Sequence, residues 1–295
     1  MVKIACVITG PYRYLNLVVE QIKQKLSSCD VEFDIFIHIW KADLGNKVRG
    51  NDNLDISLLN DPKIKSFSFG MPYTEQEIIN LIGHEPIIKA HSPINAMCGM
   101  FTAISTVYKI IEQLPDSKKY THVLRLRTDI SFNTDKLIPQ KILDNTVYIS
   151  ENPLLPNGEI SDHTMLCSMN DFKALWTYTS FHDFVLDYEK SYYNPEIYLK
   201  ERVNLGDINV VTFWKRFIDY HVVYAEAKKN DPKLIKELDK PEDIFSTVYT
   251  DIDINDLTAF FDKIKSETNN PPLKNKISAF IKRSPVLKKI VNRIK

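Results

Sequence analysis

Glycine is scarce in this chain, with eight in 295 residues. Neither Gly-x-Gly-x-x-Gly nor Gly-x-x-x-x-Gly-Lys-[Ser/Thr] occurs, so the chain has neither a dinucleotide-binding fingerprint nor a P-loop. Cysteine is also rare. Cys6, Cys29, Cys98 and Cys167 are widely spread and make no Cys-x-x-Cys pair, which argues against a zinc ribbon or a thioredoxin-like centre and predicts free thiols in a reducing compartment. No run of about 18 uncharged apolar residues is expected to span a bilayer. The first ten residues are interrupted at once by Tyr12 and Arg13, too early for a secretory signal. A cytoplasmic setting is therefore expected.

Charge of one sign is missing overall, with Lys+Arg and Asp+Glu both at 38. This excludes a globally basic nucleic-acid binder. A local imbalance exists, however: residues 273–295 hold eight Lys/Arg and no Asp/Glu, leaving 30 against 38 in the first 272 residues. Apolar residues at near-helical spacing, from Ile277 to Ile294, alternate with those cations. Basic amphipathic helices of this kind lie on anionic membranes, and the alternative is a docking helix with a solvated basic face. No second basic patch or aromatic platform points to nucleic acid.

With 44% hydrophobic and 26% charged residues, the chain can bury a sizeable core. Strands are expected at 3–8, 33–40 and 63–69, and a longer one at 122–132. Helical spacing occurs at 14–26 and in the segment opening at Ser92-Pro93. Alternation of this kind implies an α/β fold, a mostly parallel sheet flanked by helices. Ligands then sit beyond the carboxyl ends of the strands. Further on, strands are expected at 147–150, 163–169 and 222–225, and helices at 172–179, 195–205, 207–217 and 254–264. Asn269-Asn270-Pro271-Pro272 reads as a linker.

Three polar clusters fall at the expected strand ends. Arg125, Arg127 and Asp129 share one face if residues 122–132 form one strand, with Leu126 and Thr128 opposite. Arginine forks suit phosphate oxygens and a carboxylate can hold a divalent cation. The plainer alternative is an internal ion-pair ladder. Thr9, Gly10 and Arg13 sit where a strand turns into a helix, a place suited to an anion. His38 and Trp40 close the second strand and could meet a base or sugar, or belong to the core. Ser161-Asp162-His163 could bind sugar hydroxyls, with Asp162 as general base, or cap an element. Glu196, after Pro195, could serve as base or favour a helix dipole.

Taken in order, these clusters resemble the WavE-type lipopolysaccharide-synthesis proteins and related capsule glycosyltransferases of bacteria. The matching elements are 8–13 (like "ISG-x-YR"), Asp34 to Trp40 (like "DIFIHTW"), the Arg-x-Arg-x-Asp of 125–129 and the Ser-Asp-His of 161–163, followed by Pro195-Glu196. The resemblance covers roughly residues 1–225. It implies a GT-A-like single large domain, with residues 1–135 as a nucleotide-sugar-binding half, 136–268 as an acceptor-binding half and 269–295 as a basic helical tail. It implies transfer of a sugar from a nucleotide-sugar donor to a lipid-linked or oligosaccharide acceptor at the inner face of the bacterial inner membrane. In such enzymes an Asp-x-Asp motif ligates Mn²⁺ or Mg²⁺. Here Arg127-Thr128-Asp129 offers one carboxylate, making Asp129 the candidate ligand.

On that basis Thr9, Gly10, Arg13, His38, Trp40, Arg125, Arg127 and Asp129 are expected to hold the donor. Asp162 and His163 would hold the acceptor, and Asp162 or Glu196 would take its proton. The rival readings are a non-catalytic membrane-tethered scaffold and a phospho-sugar transferase.

Overall fold

A computed structural model describes residues 2–11, 14–40, 60–71, 73–85, 94–151, 159–191, 194–216 and 218–222. Arg13, the segment at Ser92-Pro93, the helix expected at 254–264, the linker at 269–272 and the basic tail all lie outside the described residues.

The elements run β1 (Lys3–Pro11), α1 (Leu15–Ser27), β2 (Glu32–Trp40), β3 (Ile64–Gly70), α2 (Glu75–Ile82), α3 (Ile94–Gln113), β4 (His122–Arg127), β5 (Ile130–Phe132), β6 (Thr146–Ser150), β7 (Thr164–Ser168), α4 (Met169–Trp176), α5 (Phe181–Lys190), α6 (Pro195–Leu205), β8 (Asn209–Trp214) and β9 (Tyr220–Val222). Seven strands form one sheet in the order β3-β2-β1-β4-β7-β6-β8, and β5 pairs with β9 apart from it. Of the six pairings in the large sheet, only those of β7 with β4 and β6 are antiparallel. The expected α/β fold, with its mostly parallel sheet, is what the chain adopts.

Strand alternation assigns the two faces. Ile4, Cys6 and Ile8 of β1 pack with α1 and the small sheet, whereas Ala5 and Val7 pack with α3 to α6. Both faces are covered, which explains the continuous apolar character of β1 and β2. α3 is long and apolar enough by length and composition to cross a membrane, although Lys109 and Glu112 interrupt its apolar run. Its apolarity has a simpler cause: Phe101, Ile104, Val107 and Ile111 are buried in the core on that face.

Two elements differ from the sequence reading. The segment expected as a helix at 207–217 contains β8 instead, because the run Asn-Val-Val-Thr-Phe-Trp is β-branched and aromatic and pairs with β6 from Thr146–Asn209 to Ser150–Trp214. The strand expected at 122–132 is broken at Thr128-Asp129, and its second piece leaves the sheet to pair with β9. All four cysteines are free, three of them buried.

Candidate functional site

Register aligns the polar residues in a row across the sheet. Ser68 on β3 lies opposite His38 on β2, His38 opposite Thr9 on β1, and Thr9 opposite Arg127 on β4. One step beyond the Leu126–Thr164 pair of β4 and β7, the ladder brings Arg127 level with His163. Each of these side chains shares its face with Val7, Phe36 or Met165, the face covered by α3 to α6. Because β7 is antiparallel, its amino end meets the carboxyl ends of the others, and Ser161-Asp162-His163 arrives there. The sheet thus brings together candidates more than 120 residues apart in the chain.

At the centre stand two arginines in different surroundings. Arg127, at the end of β4, places Nε 2.9 Å and Nη2 3.1 Å from the two carboxylate oxygens of Asp129, and Nη1 4.0 Å from Asp162. Burial opposes its charge, but Asp129 holds its pKa above the ordinary arginine value. Its side chain keeps 27% of its surface exposed. Arg125 is instead 1% exposed and lies with its guanidinium carbon 4.8 Å from the Trp176 ring centroid. Its Nε and Nη1 are buried without a hydrogen-bond partner. Burial lowers its pKa to about 10, so it remains a cation at neutral pH. An unpaired buried donor costs about 1–3 kcal/mol, and more on a charged group.

The expectation that Arg125, Arg127 and Asp129 line one strand face therefore needs correction. The chain turns after Arg127, and Asp129 reaches back from that turn to fork with it. Thr128, expected to face away, instead donates to the Pro11 carbonyl oxygen at 2.7 Å. It also lies against Gly10, whose φ of 139° favours glycine and where an added Cβ would sit 3.1 Å from Thr128 Oγ1. Thr9 Oγ1 is buried without a partner, between His38 and Arg127.

His38 is held by Ser68. Ser68 Oγ donates to the Ile37 carbonyl at 3.3 Å and lies 2.8 Å from His38 Nδ1, so Nδ1 carries the proton and Nε2 the lone pair. Burial lowers its pKa. A Cβ at Gly70 would come within 2.4 Å of Nε2, so the missing side chain at 70 is what admits the imidazole. Trp40 is buried in the core cluster on the face covered by α3 to α6, the plainer of its two expected roles.

Asp162 and His163 are nearly buried. Burial opposes ionisation of Asp162, but His163, Arg127 and Arg125 outweigh it and hold the carboxyl below its ordinary range. His163 is pushed down to about 3 by burial. Tyr220 OH lies 3.0 Å from His163 Nδ1 and donates to the Glu151 carbonyl, which leaves the His163 lone pair at Nε2, 3.8 Å from Asp162. Ser150 and Ser161 share a 3.0 Å hydrogen bond beside them. Sequence reasoning missed Tyr220 and Ser150, since neither sits in a motif, and it missed Thr128 because the broken strand reverses its direction.

Glu196 occupies the first turn of α6, where Asn194 caps the helix by accepting from Ile197 N. Its backbone carbonyl accepts from Ile160 N at 3.3 Å, tying α6 to the Ser161 segment. Burial raises its pKa to about 8, and Asp162 adds to the rise. A helix dipole acting alone would lower it. Two neighbouring carboxyl groups thus have affinities pushed in opposite directions, a pattern that separates acid from base roles.

As a metal centre the donor set fits poorly. Both oxygens of Asp129 accept from Arg127, and no group of three or more His, Cys, Asp or Glu is arranged for a cation among the described residues.

No protein-family model and no curated protein sequence matches the chain. Among solved structures it is similar to Drosophila β1,4-galactosyltransferase 7 in a mutant complex with manganese, UDP-Gal and xylobiose, at 12% identity and TM-score 0.35 over 72% of this chain and 65% of that one. The catalytic domain of that protein with xylobiose gives 10%, 0.35, 72% and 65%. The glycosyltransferase GlyE of Streptococcus pneumoniae gives 12% and 0.37 over 72% of this chain and 45% of that one. The chain thus spans less than two thirds of each neighbour, and likeness of this degree does not define its chemistry.

Proposed function

We propose that this protein is a GT-A-like glycosyltransferase that moves a sugar from a nucleotide-sugar donor to a glycan acceptor. The observation that carries the reading is Arg125: a buried cation with two unpaired donors, next to Arg127 at the carboxyl edge of a largely parallel sheet. An anion with several oxygens would satisfy those unpaired donors of Arg125, and a diphosphate leaving group is such an anion; the charge of Arg127 is already offset by Asp129. Thr9 and the Gly10 backbone, on the adjoining strand, would meet the same group, and His38 Nε2 would accept from a donor hydroxyl or N–H.

In the reaction the bond between the sugar's anomeric carbon and the phosphate oxygen breaks, and a bond from that carbon to the acceptor oxygen forms. Arg125 and Arg127 would stabilise the charge gathering on the phosphate. The acceptor proton passes to a carboxylate, and Glu196, with its raised affinity, is the better acceptor near neutral pH. Asp162 would stay ionised, oriented against Arg127, with His163 beside it for the acceptor hydroxyls. Asp129 acts here as the partner that orients Arg127.

The finer reading follows from the resemblance described above: the WavE-type class, lipopolysaccharide or capsule synthesis, donor and acceptor halves at 1–135 and 136–268, and a peripheral site at the inner membrane held by residues 273–295. Turnover of nucleotide sugars by the intact chain tests the activity. Hydrolysis or transfer that disappears in Arg127→Gln with the fold retained supports it. No turnover of any nucleotide sugar by the parent, with complex assembly intact, would favour the scaffold instead. Deleting residues 273–295 should abolish binding to anionic vesicles, and undiminished binding would remove the tether.

A further inference from the structure

A groove of about 840 Å³ lies between α3, α5, the end of α4 and the middle of α6, and shares no residue with the polar row. Three of its tyrosines are each covered by a cation. Lys109 Nζ is 5.5 Å from the Tyr178 ring centroid, Lys173 Nζ 5.8 Å from that of Tyr108, and Arg202 Cζ 5.2 Å from that of Tyr198. Lys173 is neutralised by Glu112 at 2.8 Å, and Lys190 by Asp187 at 3.2 Å. Lys109 and Arg202 have no carboxylate partner among the described residues. Arg202 spends one donor, Nη1, on the Tyr198 hydroxyl at 2.7 Å.

Four cations and three carboxylates, Asp183 among them, line the groove, a net charge of one positive, and Lys109 on α3 and Arg202 on α6 stand on different walls. Beyond its tyrosines the groove's apolar lining is Phe184 and Leu186; hydroxyls, carboxylates and amines make up the remainder. A glycan needs hydrogen-bonding groups throughout, and one carrying carboxylates would also meet the residual charge.

We propose that this groove is a binding site for an acidic glycan, in which the remaining guanidinium donors of Arg202 take a uronic-acid carboxylate and Lys109 supplies a second point charge across the groove. The fork of Arg202 suits a carboxylate bidentately, whereas Lys109 acts as a centre of charge. The inference goes beyond the sugar-transfer reading and does not depend on it, because the two sites have no residue in common.

The test is calorimetric titration of the full chain with an oligogalacturonate hexasaccharide and, in parallel, with neutral cellohexaose. The acidic oligosaccharide is expected to bind at least about tenfold more tightly than the neutral one, a gap expected if charge-assisted bonds decide. Arg202→Gln and Lys109→Gln should each weaken it about tenfold while leaving pyrophosphate binding unchanged, with only Arg202→Gln lowering the melting temperature slightly through the lost Tyr198 bond, and Arg202→Lys should fall between parent and Arg202→Gln. Equal binding of the two oligosaccharides, binding of neither, or acidic binding undiminished in both Gln variants would overturn the proposal. Because the two sites share no residue, loss of acidic-glycan binding in the Lys109 and Arg202 variants with pyrophosphate binding retained, or the converse in Arg127→Gln, separates failure of this groove from failure of the transferase reading.

Discussion

Thr128 donates its hydroxyl hydrogen to the carbonyl oxygen of Pro11 at 2.7 Å. That bond joins the turn after β4 to the end of β1, and so fixes the Arg127–Asp129 fork relative to Gly10. In Thr128→Val the shape is kept and the Pro11 oxygen loses its donor. Urea unfolding should show a loss of about 1–2 kcal/mol, with weaker pyrophosphate binding. An unchanged midpoint would mean that the two strand ends are held by other contacts.

Gly10→Ala tests the same junction from the other side. The backbone there has φ of 139° and the new Cβ would crowd Thr128 Oγ1 at 3.1 Å. A cost of about 1–3 kcal/mol is expected from the backbone conformation, and the crowding added to it is relieved when Thr128→Ala is added, because that removes Oγ1. Strict additivity of the two substitutions would argue against the contact.

Arg125→Met separates stability from function. The substitution removes a buried cation with unpaired Nε and Nη1 and leaves an apolar chain of similar length against Trp176. Replacing a poorly satisfied buried charge by a packed apolar side chain is often neutral or stabilising, by about 1–4 kcal/mol. The melting temperature should therefore hold or rise while pyrophosphate binding falls. A large loss of stability would show that Arg125 has a structural role.

Glu196 has its folded-state pKa raised from 4.5 to about 8. Between those values the unfolded chain has released a proton that the folded chain keeps, so this group makes stability fall as pH rises across that window. Glu196→Gln should flatten that slope, by an amount of the order of a kcal/mol between about pH 5 and about pH 8. His163 acts with the opposite sign: its value is depressed from 6.5 to about 3, so the stability it contributes above its ordinary value is lost as pH falls through that range. If Glu196 takes the acceptor proton, turnover should climb with pH toward about 8 and fall roughly 10²–10⁴-fold in Glu196→Gln. A wild-type pH–rate profile in Glu196→Gln would transfer the role to Asp162.

Periodicity located β1, β2 and α1 because each has an unambiguous pattern, and strand-end logic gathered Thr9, His38 and Arg127 at one edge. Two things escaped it for physical reasons. A short strand such as β8, exposed over Asn209 to Thr212, carries no alternation to distinguish it from a helix, and only its pairing with β6 decides. Arg125 and Arg127 share a face as alternation requires. Their different burial, however, arises from Trp176 on α4 and from the turn at Thr128, tertiary features that local spacing does not encode. The opposed proton affinities of Asp162 and Glu196 likewise depend on which neighbours the fold supplies.

The central claim is that the guanidinium pair receives a diphosphate. Calorimetric titration of inorganic pyrophosphate and of nucleoside diphosphates into the intact chain, beside Arg125→Met and Arg127→Gln, tests it most directly. Saturable binding that weakens at least about tenfold in each folded variant is the predicted result, as expected when a charge-assisted contact is lost. Failure of the parent to bind any of these anions, or binding that survives both substitutions, would contradict it.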